Sequence, residues 1–481
     1  MMARRTGAVG ATIHAYALVE ETLMATASKA ILGSTPPRTY QDILAQDSTP
    51  VPAILRSAPR DFGTEPVAAS RYTSAEFFKR EIEGVWLKTW QFACVQDEIP
   101  SPGDTYVYEL LNRTVLVVRQ ADGGLKAFMN VCLHRGRKLV TAGGCKTEFR
   151  CPYHAFTWNT DGTFRENPFA WDFPQIDPKA FNLLEVRVET WAGFVFINFD
   201  LNAEPLLQQM APMPEHFERW RIADCYKSAH VAKVMPANWK VCVEAFIETH
   251  HVLATHPQYD AFTGHDFSQL DILSDHVSRF LSPNVIAPNT SMGSIDDARL
   301  FDIMMSAGAR SVESVAKVSL PAGMSARAFT AQVSRQGLEQ RTGYDLSDIS
   351  DAEILDGIGY DFFPNFHLWG GFKDKICYRF RPWGVDHEHT LLETMLFALP
   401  PKGAPRPAPA KMRLLEAGEA WSGATELGAL AGVYDQDESN MGPVQEGLRT
   451  LGEGSIQFSK YLEARCRNLH HMIDVYIERN A

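Results

Sequence analysis

Two short motifs of like build, Cys132-Leu-His134 and Cys151-Pro-Tyr-His154, stand sixteen residues apart and constrain this 481-residue chain more than any other feature. Each supplies one thiolate and one imidazole, so together they offer two sulfur and two nitrogen ligands. That set suits a [2Fe–2S] cluster in which one iron takes two Cys and the other two His. Its rival is a Cys₂His₂ zinc site, built from the same ligand types. Zinc fingers pair Cys with Cys and His with His. Here the two alternate, which favours the cluster. Replacing two anionic thiolates by neutral imidazoles leaves the site less negative, so it accepts an electron more readily. Cys145, between the motifs, reads as a small loop residue rather than a ligand.

Length and composition bound the rest. A chain this long exceeds one ordinary core and reads as two or three domains. With 45% hydrophobic and 22% charged residues it has the balance of a globular protein. A formal net charge of −12 argues against nucleic acid or an anionic membrane as partner. Eight Cys, two of them in the motifs, make no disulfide framework, so the expected compartment is a reducing cytoplasm. No run approaches the roughly eighteen apolar residues of a membrane span. Residues 1–23 place Arg4-Arg5 before a mildly apolar stretch that Glu20 and Glu21 interrupt. The expectation is an over-extended start with translation from Met24; a secretory signal is the rival reading.

Residues 24–70, rich in Pro, Ser and Thr, read as an extended part of an N-terminal arm over 1–70. Thr73-Ser-Ala-Glu76 has capping-box spacing ahead of a helix with Phe78, Ile82, Val85, Trp86 and Trp90 on one apolar face. The period then drops to two. Strands are expected at 105–111, 114–118 and 125–131, with turns at Asn112-Arg113 and 121–124, and a further strand at 191–199. Both Cys/His motifs fall in this β-rich part, expected to span 71–205. The pattern over 206–481 is mixed: a helix at 238–256, strands at 377–383 and 390–399, and a Pro-rich linker at 400–409. A last helix places Phe458, Leu462, Leu469, Met472, Ile473 and Tyr476 on its core face. Residues 285–350 show no clear period. The expected fold class is α+β.

The segment Asn238-Trp-Lys-Val-Cys-Val-Glu244-Ala-Phe-Ile-Glu248-Thr-His250-His251-Val-Leu-Ala-Thr-His256 is dense in ionisable groups. As a helix it puts Glu244, Glu248 and His251, four and three residues apart, on one face. His251 and His256 are five apart. That is an offset of about 140°, so one metal takes both only where the helix loosens, and Pro257 offers a break. A carboxylate from elsewhere would complete a 2-His-1-carboxylate triad, which leaves positions on Fe(II) open for oxygen. Surface or core histidines without a metal are the plainer alternative.

The cluster motif, the Asn238-Trp239-Lys240 lead-in, the Glu248-x-x-His251-x-x-x-x-His256-Pro257 run and a late acidic run occur in that order. Over roughly 70–480 the chain thereby resembles the catalytic α subunit of Rieske non-heme iron oxygenases, the ring-hydroxylating dioxygenases and their monooxygenase relatives. The resemblance implies a β-rich Rieske domain and a helix-grip catalytic domain, an antiparallel sheet wrapped around helices. It implies one Rieske [2Fe–2S] cluster on Cys132, His134, Cys151 and His154, and one mononuclear Fe(II) on His251, His256 and a late Asp. In Tyr434-Asp-Gln-Asp437-Glu-Ser-Asn440 that Asp falls on Asp437, with Asp435 and Glu438 as alternatives. Glu248 stands where the family has an acid bridging a cluster His of one subunit to an iron His of the next. His154 of one chain would then serve His251 of its neighbour in a head-to-tail trimer. Arg137 and Tyr153 stand where quinol-oxidising Rieske proteins carry bridging Cys, which implies the lower-potential type. Three positions depart from the family pattern: Ala245 for Asn, His250 for Tyr, and Ala155-Phe156 for Gly-Trp. His250, about 200° from Glu248 in helical phase, yields to His251 as the expected ligand.

The implied function is a terminal oxygenase that uses O₂ and single electrons from a ferredoxin or reductase to hydroxylate an aromatic or hydrophobic organic substrate. No Gly-x-Gly-x-x-Gly follows a strand and no plant-type ferredoxin Cys pattern occurs. NAD(P)H is therefore expected to react on a separate protein. The alternatives are a monooxygenase or demethylase of a quaternary amine or steroid, favoured by Glu rather than Asp at 248, and a Rieske electron-transfer protein without oxygenase activity. A homotrimer is expected, with an added β subunit as the other form.

Overall fold

The computed structural model describes residues 38–289, 295–307, 319–373 and 375–480. The expectations for residues 1–23 and Met24 lie outside them. After a two-residue strand, Val67–Ala68, that pairs with Ser455–Ile456, come β1 (Gln91–Val95), β2 (Asp104–Leu110), β3 (Arg113–Arg119), β4 (Leu125–Met129) and β5 (Gly144–Cys145). Next come a small antiparallel sheet of β6 (Glu148–Arg150), β7 (Thr157–Asn159) and β8 (Phe164–Glu166), and then β9 (Glu185–Trp191) and β10 (Phe194–Asn198). The larger sheet runs β1-β10-β9-β4-β3-β2-β5.

Two turns differ from expectation. Leu110 pairs with Arg113, so the hairpin turns on Leu111-Asn112, one residue early, with Leu111 at a φ of 57°. The expected strand at 191–199 is a hairpin: Trp191 pairs with Phe194 around Ala192-Gly193, at φ 49° and 90°. Two consecutive positive-φ residues are what a tight two-residue hairpin demands.

The second large sheet collects the later strands: β11 (Tyr226–Met235), β12 (Gln269–Ile272), β13 (Val277–Ser282), β14 (Gly357–Phe362), β15 (Phe366–Trp369), β16 (Ile376–Trp383), β17 (Asp386–Ala398) and β18 (Arg413–Leu414). Its order is β12-β13-β14-β15-β16-β17-β11-β18, antiparallel except for the last pair. One face packs on helices and completes the expected α+β arrangement. The arm begins with a short helix, α1 (Tyr40–Leu44), boxed by Thr39 and Asp42 rather than extended. It then runs against β12 and β13, where Ala58 N donates to Asp271 and Arg279 donates to Ile54 O and Arg56 O.

Helix α2 (Ala75–Glu81) starts one residue later than its capping signal: Ser74 accepts from Phe77 N, and Thr73 ends a preceding turn by donating to Ala69 O. The backbone continues as a π turn to Trp86, where a Cβ on Gly84 would stand 2.9 Å from Ile477 Cα. Glycine here lets the last helix pass in contact. The Asn-Trp-Lys lead-in anchors α3 (Trp239–Ile247) to this segment. Asn238 caps Lys240 N at 3.0 Å, and Trp239 packs edge-on against Trp86 with ring centroids 5.0 Å apart. Lys240 Nζ meets Glu81 Oε1 at 2.8 Å with both side chains fully buried.

The expected helix at 238–256 ends at Ile247. Glu248 is extended (φ −124°, ψ 170°), and the chain resumes in two single turns, α4 (Val252–Thr255) and α5 (Pro257–Asp260). The aperiodic 285–350 stretch contains α6 (Asp297–Ala307) and α7 (Ala326–Thr342). The late acidic run lies in α8 (Leu430–Leu451). The last helix, α9 (Ala464–Arg479), begins after Phe458 and Leu462, which fall outside it.

A buried polar seam joins the two large sheets. Arg379 pairs through both fork nitrogens with Glu393, and its Nη1 donates to Phe92 O and Ala93 O of β1. Arg381 joins Glu393 at 3.0 Å and donates to Glu109 O of β2. Burial works against the Glu393 charge, yet Arg379 and Arg381 hold its carboxyl well below the usual range. No helix among the described residues is long and apolar enough to cross a membrane, and all eight Cys are free thiols.

Candidate metal centres

Both Cys/His motifs are tight loops of one design. Cys132 N donates to Arg137 O at 2.8 Å and Gly136 N to Cys132 O at 2.9 Å; Cys151 N donates to Phe156 O at 2.8 Å and Ala155 N to Cys151 O at 3.0 Å. The first loop follows β4, and the second joins β6 to β7. They bring His134 and His154 to ring centroids 4.7 Å apart, with Cys132 and Cys151 buried. The Nδ1 atoms of both His are buried and meet no hydrogen-bond partner. Two inward nitrogens without partners beside two buried thiols fit a four-ligand iron–sulfur site. Phe156, in the place of the family's Trp, stacks on His134 at 4.6 Å. Ala155, in the place of its Gly, takes a φ of 60°. Cys145 is exposed on the edge strand β5 with its thiol toward Pro102 O.

The second site forms where α3 breaks. One ligand atom from each of His251, His256 and Asp437 can be chosen so that all three lie within 4.8 Å of one another. His256 Nε2 is 2.9 Å from Asp437 Oδ1, and His251 Nε2 is 3.8 Å from it. The opposite ring atoms are tied down: His251 Nδ1 meets Glu248 Oε1 at 2.5 Å, and His256 Nδ1 meets Gln436 Oε1 at 2.8 Å. Each Nδ1 thus has an acceptor on its outer side, and each Nε2 is the ring atom that faces Asp437. The set matches a 2-His-1-carboxylate triad.

Three details differ from the sequence reading. Because Glu248 is extended, Glu244, Glu248 and His251 do not share a helical face. Glu244 belongs to another network, accepting from Tyr72 Oη and His470 Nε2, each at 2.8 Å, while burial pushes its carboxyl up to about 8. The helical-phase argument that set His250 apart from Glu248 also lapses. His250 Nδ1 lies 2.8 Å from Glu248 Oε2, off the hydrogen-bond direction, as an ionic contact. Burial works against the Glu248 charge, but His250 and His251 outweigh it and draw the carboxyl down to about 2. Gln436 went unread: it lies inside the quoted acidic run, and only the fold turns it toward His256. Of the alternatives to Asp437, Asp435 caps Trp421 N at 2.7 Å and Glu438 pairs with Lys233.

Comparisons with known proteins match the two regions that hold these residues. A family model described as the Rieske [2Fe-2S] domain matches residues 89–177, and one described as the ring hydroxylating alpha subunit (catalytic domain) matches residues 215–479. The carnitine monooxygenase oxygenase subunit of Acinetobacter pittii is 33% identical over 216 residues, 43% of this chain and 57% of that protein. The large oxygenase component of the naphthalene 1,2-dioxygenase system of Pseudomonas putida is 33% identical over 195 residues, 38% of this chain and 42% of that protein. The chain thus spans about half the length of the curated relatives it matches. Among solved structures, a quaternary ammonium Rieske monooxygenase described for carnitine oxidation by gut microbiota and inter-subunit electron transfer superposes with a TM-score of 0.60. It is 20% identical, with 85% of this chain and 95% of that one covered.

Proposed function

Because the chain belongs to the Rieske non-heme iron oxygenase alpha-subunit family, we propose that it is the terminal oxygenase of a multicomponent system. In this reading 71–205 carries the cluster and 206–481 the mononuclear iron. The observation that carries it is the convergence of His251, His256 and Asp437, with both imidazoles oriented through Nδ1. Held by Cys132, His134, Cys151 and His154, a Rieske cluster would supply single electrons, and Fe(II) on His251, His256 and Asp437 would supply oxygen activation.

The chain's own residues do the positioning. Glu248 accepts the His251 Nδ1 proton and Gln436 the His256 Nδ1 proton, which fixes both tautomers. His154 is half-buried with its Nδ1 inside, which leaves Nε2 as its outward atom. That arrangement supports a trimer in which Glu248 links His251 to the neighbouring subunit's His154. Inter-subunit electron transfer, described for the structural relative, is in keeping with it. Electrons would come from a reductase, directly or through a ferredoxin, with NAD(P)H used there. We place the chain in an α-only homotrimer.

For the substrate, a quaternary amine displaces the aromatic ring expected from sequence. The carnitine monooxygenase likeness and Glu at position 248 support this. The naphthalene dioxygenase likeness keeps ring hydroxylation as the second reading. Iron analysis should give about three Fe per chain, two of them from the cluster. Asp437→Ala should remove one and abolish turnover while the Rieske absorption stays. About two Fe in the unaltered protein would instead support a pure electron-transfer role. Turnover under ¹⁸O₂ with trimethylammonium substrates and with naphthalene decides between the substrate classes.

A further inference from the structure

The loop that bears Glu248 and His251 leaves α3 at Ile247, and the last carbonyls of a buried helix need donors from elsewhere. One donor comes from the far end of the chain. Arg465, at the start of α9 and 1% exposed, donates from Nη1 to Ile247 O at 3.0 Å. Its Nε donates to Ser278 Oγ at 3.1 Å and its Nη2 to Asp361 Oδ2. Ser278 and Asp361 are paired residues of β13 and β14, and Asp361 Oδ1 meets His367 Nδ1 at 2.5 Å. Two nitrogens thus seat the guanidinium in the second sheet, and the third is offered to the end of α3.

Position and charge both matter. A cation at a helix C-terminus faces the negative end of the macrodipole. The planar fork of Arg also holds its acceptors in fixed directions. The same helix grips α3 three residues earlier, where His470 Nε2 donates to Glu244 Oε1 at 2.8 Å. Glu463, just before α9, brings a carboxylate oxygen 3.9 Å from His250 Nε2. A cavity of about 30 Å³ borders Arg465 and Ile247. Two atoms of its lining residues, Asn365 Oδ1 and Asn468 Oδ1, are buried without partners, and both are acceptors like Ile247 O. Neither can replace Arg465 as the donor.

The path onward is short. Glu248 follows Ile247 directly; its Oε2 accepts from His251 N at 3.2 Å, and its Oε1 meets His251 Nδ1 at 2.5 Å. From the guanidinium to the His251 ring there is one hydrogen bond, one peptide and one carboxylate.

We propose, resting on the oxygenase reading above, that Arg465 is a positioning residue for the mononuclear iron: by holding Ile247 O it fixes where α3 stops, and hence where the Glu248 carboxylate orients His251. The test compares the full-length holoprotein with Arg465→Met, Arg465→Lys and Ser278→Ala. Met keeps the length and loses every donor, and Lys keeps a cationic donor. Ser278→Ala removes the Nε acceptor and leaves the bond to Ile247 O in place. Iron affinity is read by chelator competition, and ligand geometry by the EPR signal of the nitric oxide complex. Rieske absorption and melting point identify folded protein. Arg465→Met should weaken iron binding by about tenfold or more and alter the nitric oxide signal. Arg465→Lys should fall between Met and the unaltered protein, whereas Ser278→Ala should stay within about threefold of the latter with its signal unchanged.

An iron affinity in Arg465→Met within about threefold of the unaltered protein overturns the proposal. So does a loss as large in Lys as in Met, or one as large in Ser278→Ala, since either means a general packing role. Should Met fail to fold, Lys carries the test: weaker iron binding with an altered signal supports the proposal, and unchanged binding overturns it. Failure of both to fold makes Arg465 a scaffold residue and overturns it too. An unaltered chain that holds only cluster iron overturns the oxygenase reading and this proposal with it, whereas a mononuclear iron that ignores Arg465 overturns the proposal alone.

Discussion

Replacing Lys240 by Met would test how α3, the helix that leads into the candidate iron ligands, is held. Lys240 Nζ and Glu81 Oε1 are 2.8 Å apart with both side chains fully buried, and Trp239 Nε1 also donates to Glu81. At that separation and an effective dielectric of about 20, the attraction is about 6 kcal/mol. Removing one partner of a buried pair typically costs about 3–5 kcal/mol, because the remaining charge is left uncompensated. The surviving Trp239 bond places Lys240→Met near the lower end, about 3 kcal/mol. The pH dependence follows from the same carboxyl. Burial already raises the Glu81 pKa despite Lys240, and loss of the ammonium raises it further. A group raised in the folded state contributes stability below its unfolded pKa, about 4.3 for Glu. That contribution is lost as pH rises. The Lys240→Met deficit should therefore be smaller at pH 5 than at pH 8. Urea unfolding followed by Trp fluorescence at both pH values measures it, with iron content as a check on α3. The double variant Glu81→Leu/Lys240→Met should recover most of the loss. A cost below about 1 kcal/mol, a deficit equal at both pH values, or a double variant no better than the single would refute the reasoning.

Other expectations are more local. Gln436→Leu removes the acceptor from His256 Nδ1 and should weaken iron binding by about 10–100-fold, the usual cost of losing such a partner, read by chelator competition. Ala155→Gly relieves a left-handed alanine in the second cluster loop and should stabilise by up to about 1 kcal/mol, seen as slower thermal bleaching of the cluster. Glu244, raised from its ordinary 4.5 to about 8, makes a contribution to stability that is present below about 4.5 and lost as pH climbs to about 8. Glu244→Gln should flatten the stability–pH curve across that window, and denaturation midpoints taken at several pH values would read it.

The chain's local signals carried it far, and they failed where tertiary contacts take over. The Cys/His loops were legible because a cluster needs its ligands at fixed short spacings. The Asn-Trp-Lys lead-in marked the start of α3, but its partner Glu81 lies far off in sequence. The end of α3 was misplaced because helical periodicity persists in the letters after Ile247. What ends the helix is Glu248 leaving to meet two imidazoles, and no propensity encodes that. The hairpin at Ala192-Gly193 hid inside an apolar run because Trp191 before the turn and every residue of β10 after it are buried. Gln436 could be read only from the fold, since a glutamine in an acidic helix has no distinguishing spacing.

The seam of Arg379, Glu393 and Arg381 has a mechanical consequence. Its forks close on carbonyls of β1 and β2, which are part of the backbone and cannot swing aside as side chains do. Any hinge opening there would leave two buried guanidinium groups short of acceptors and bare three main-chain carbonyls at once. The two sheets are in effect riveted. In the trimer proposed above, a chain built this way would not shorten the route between its own two centres by bending, and the length of the electron's jump would be set by how its copies pack together.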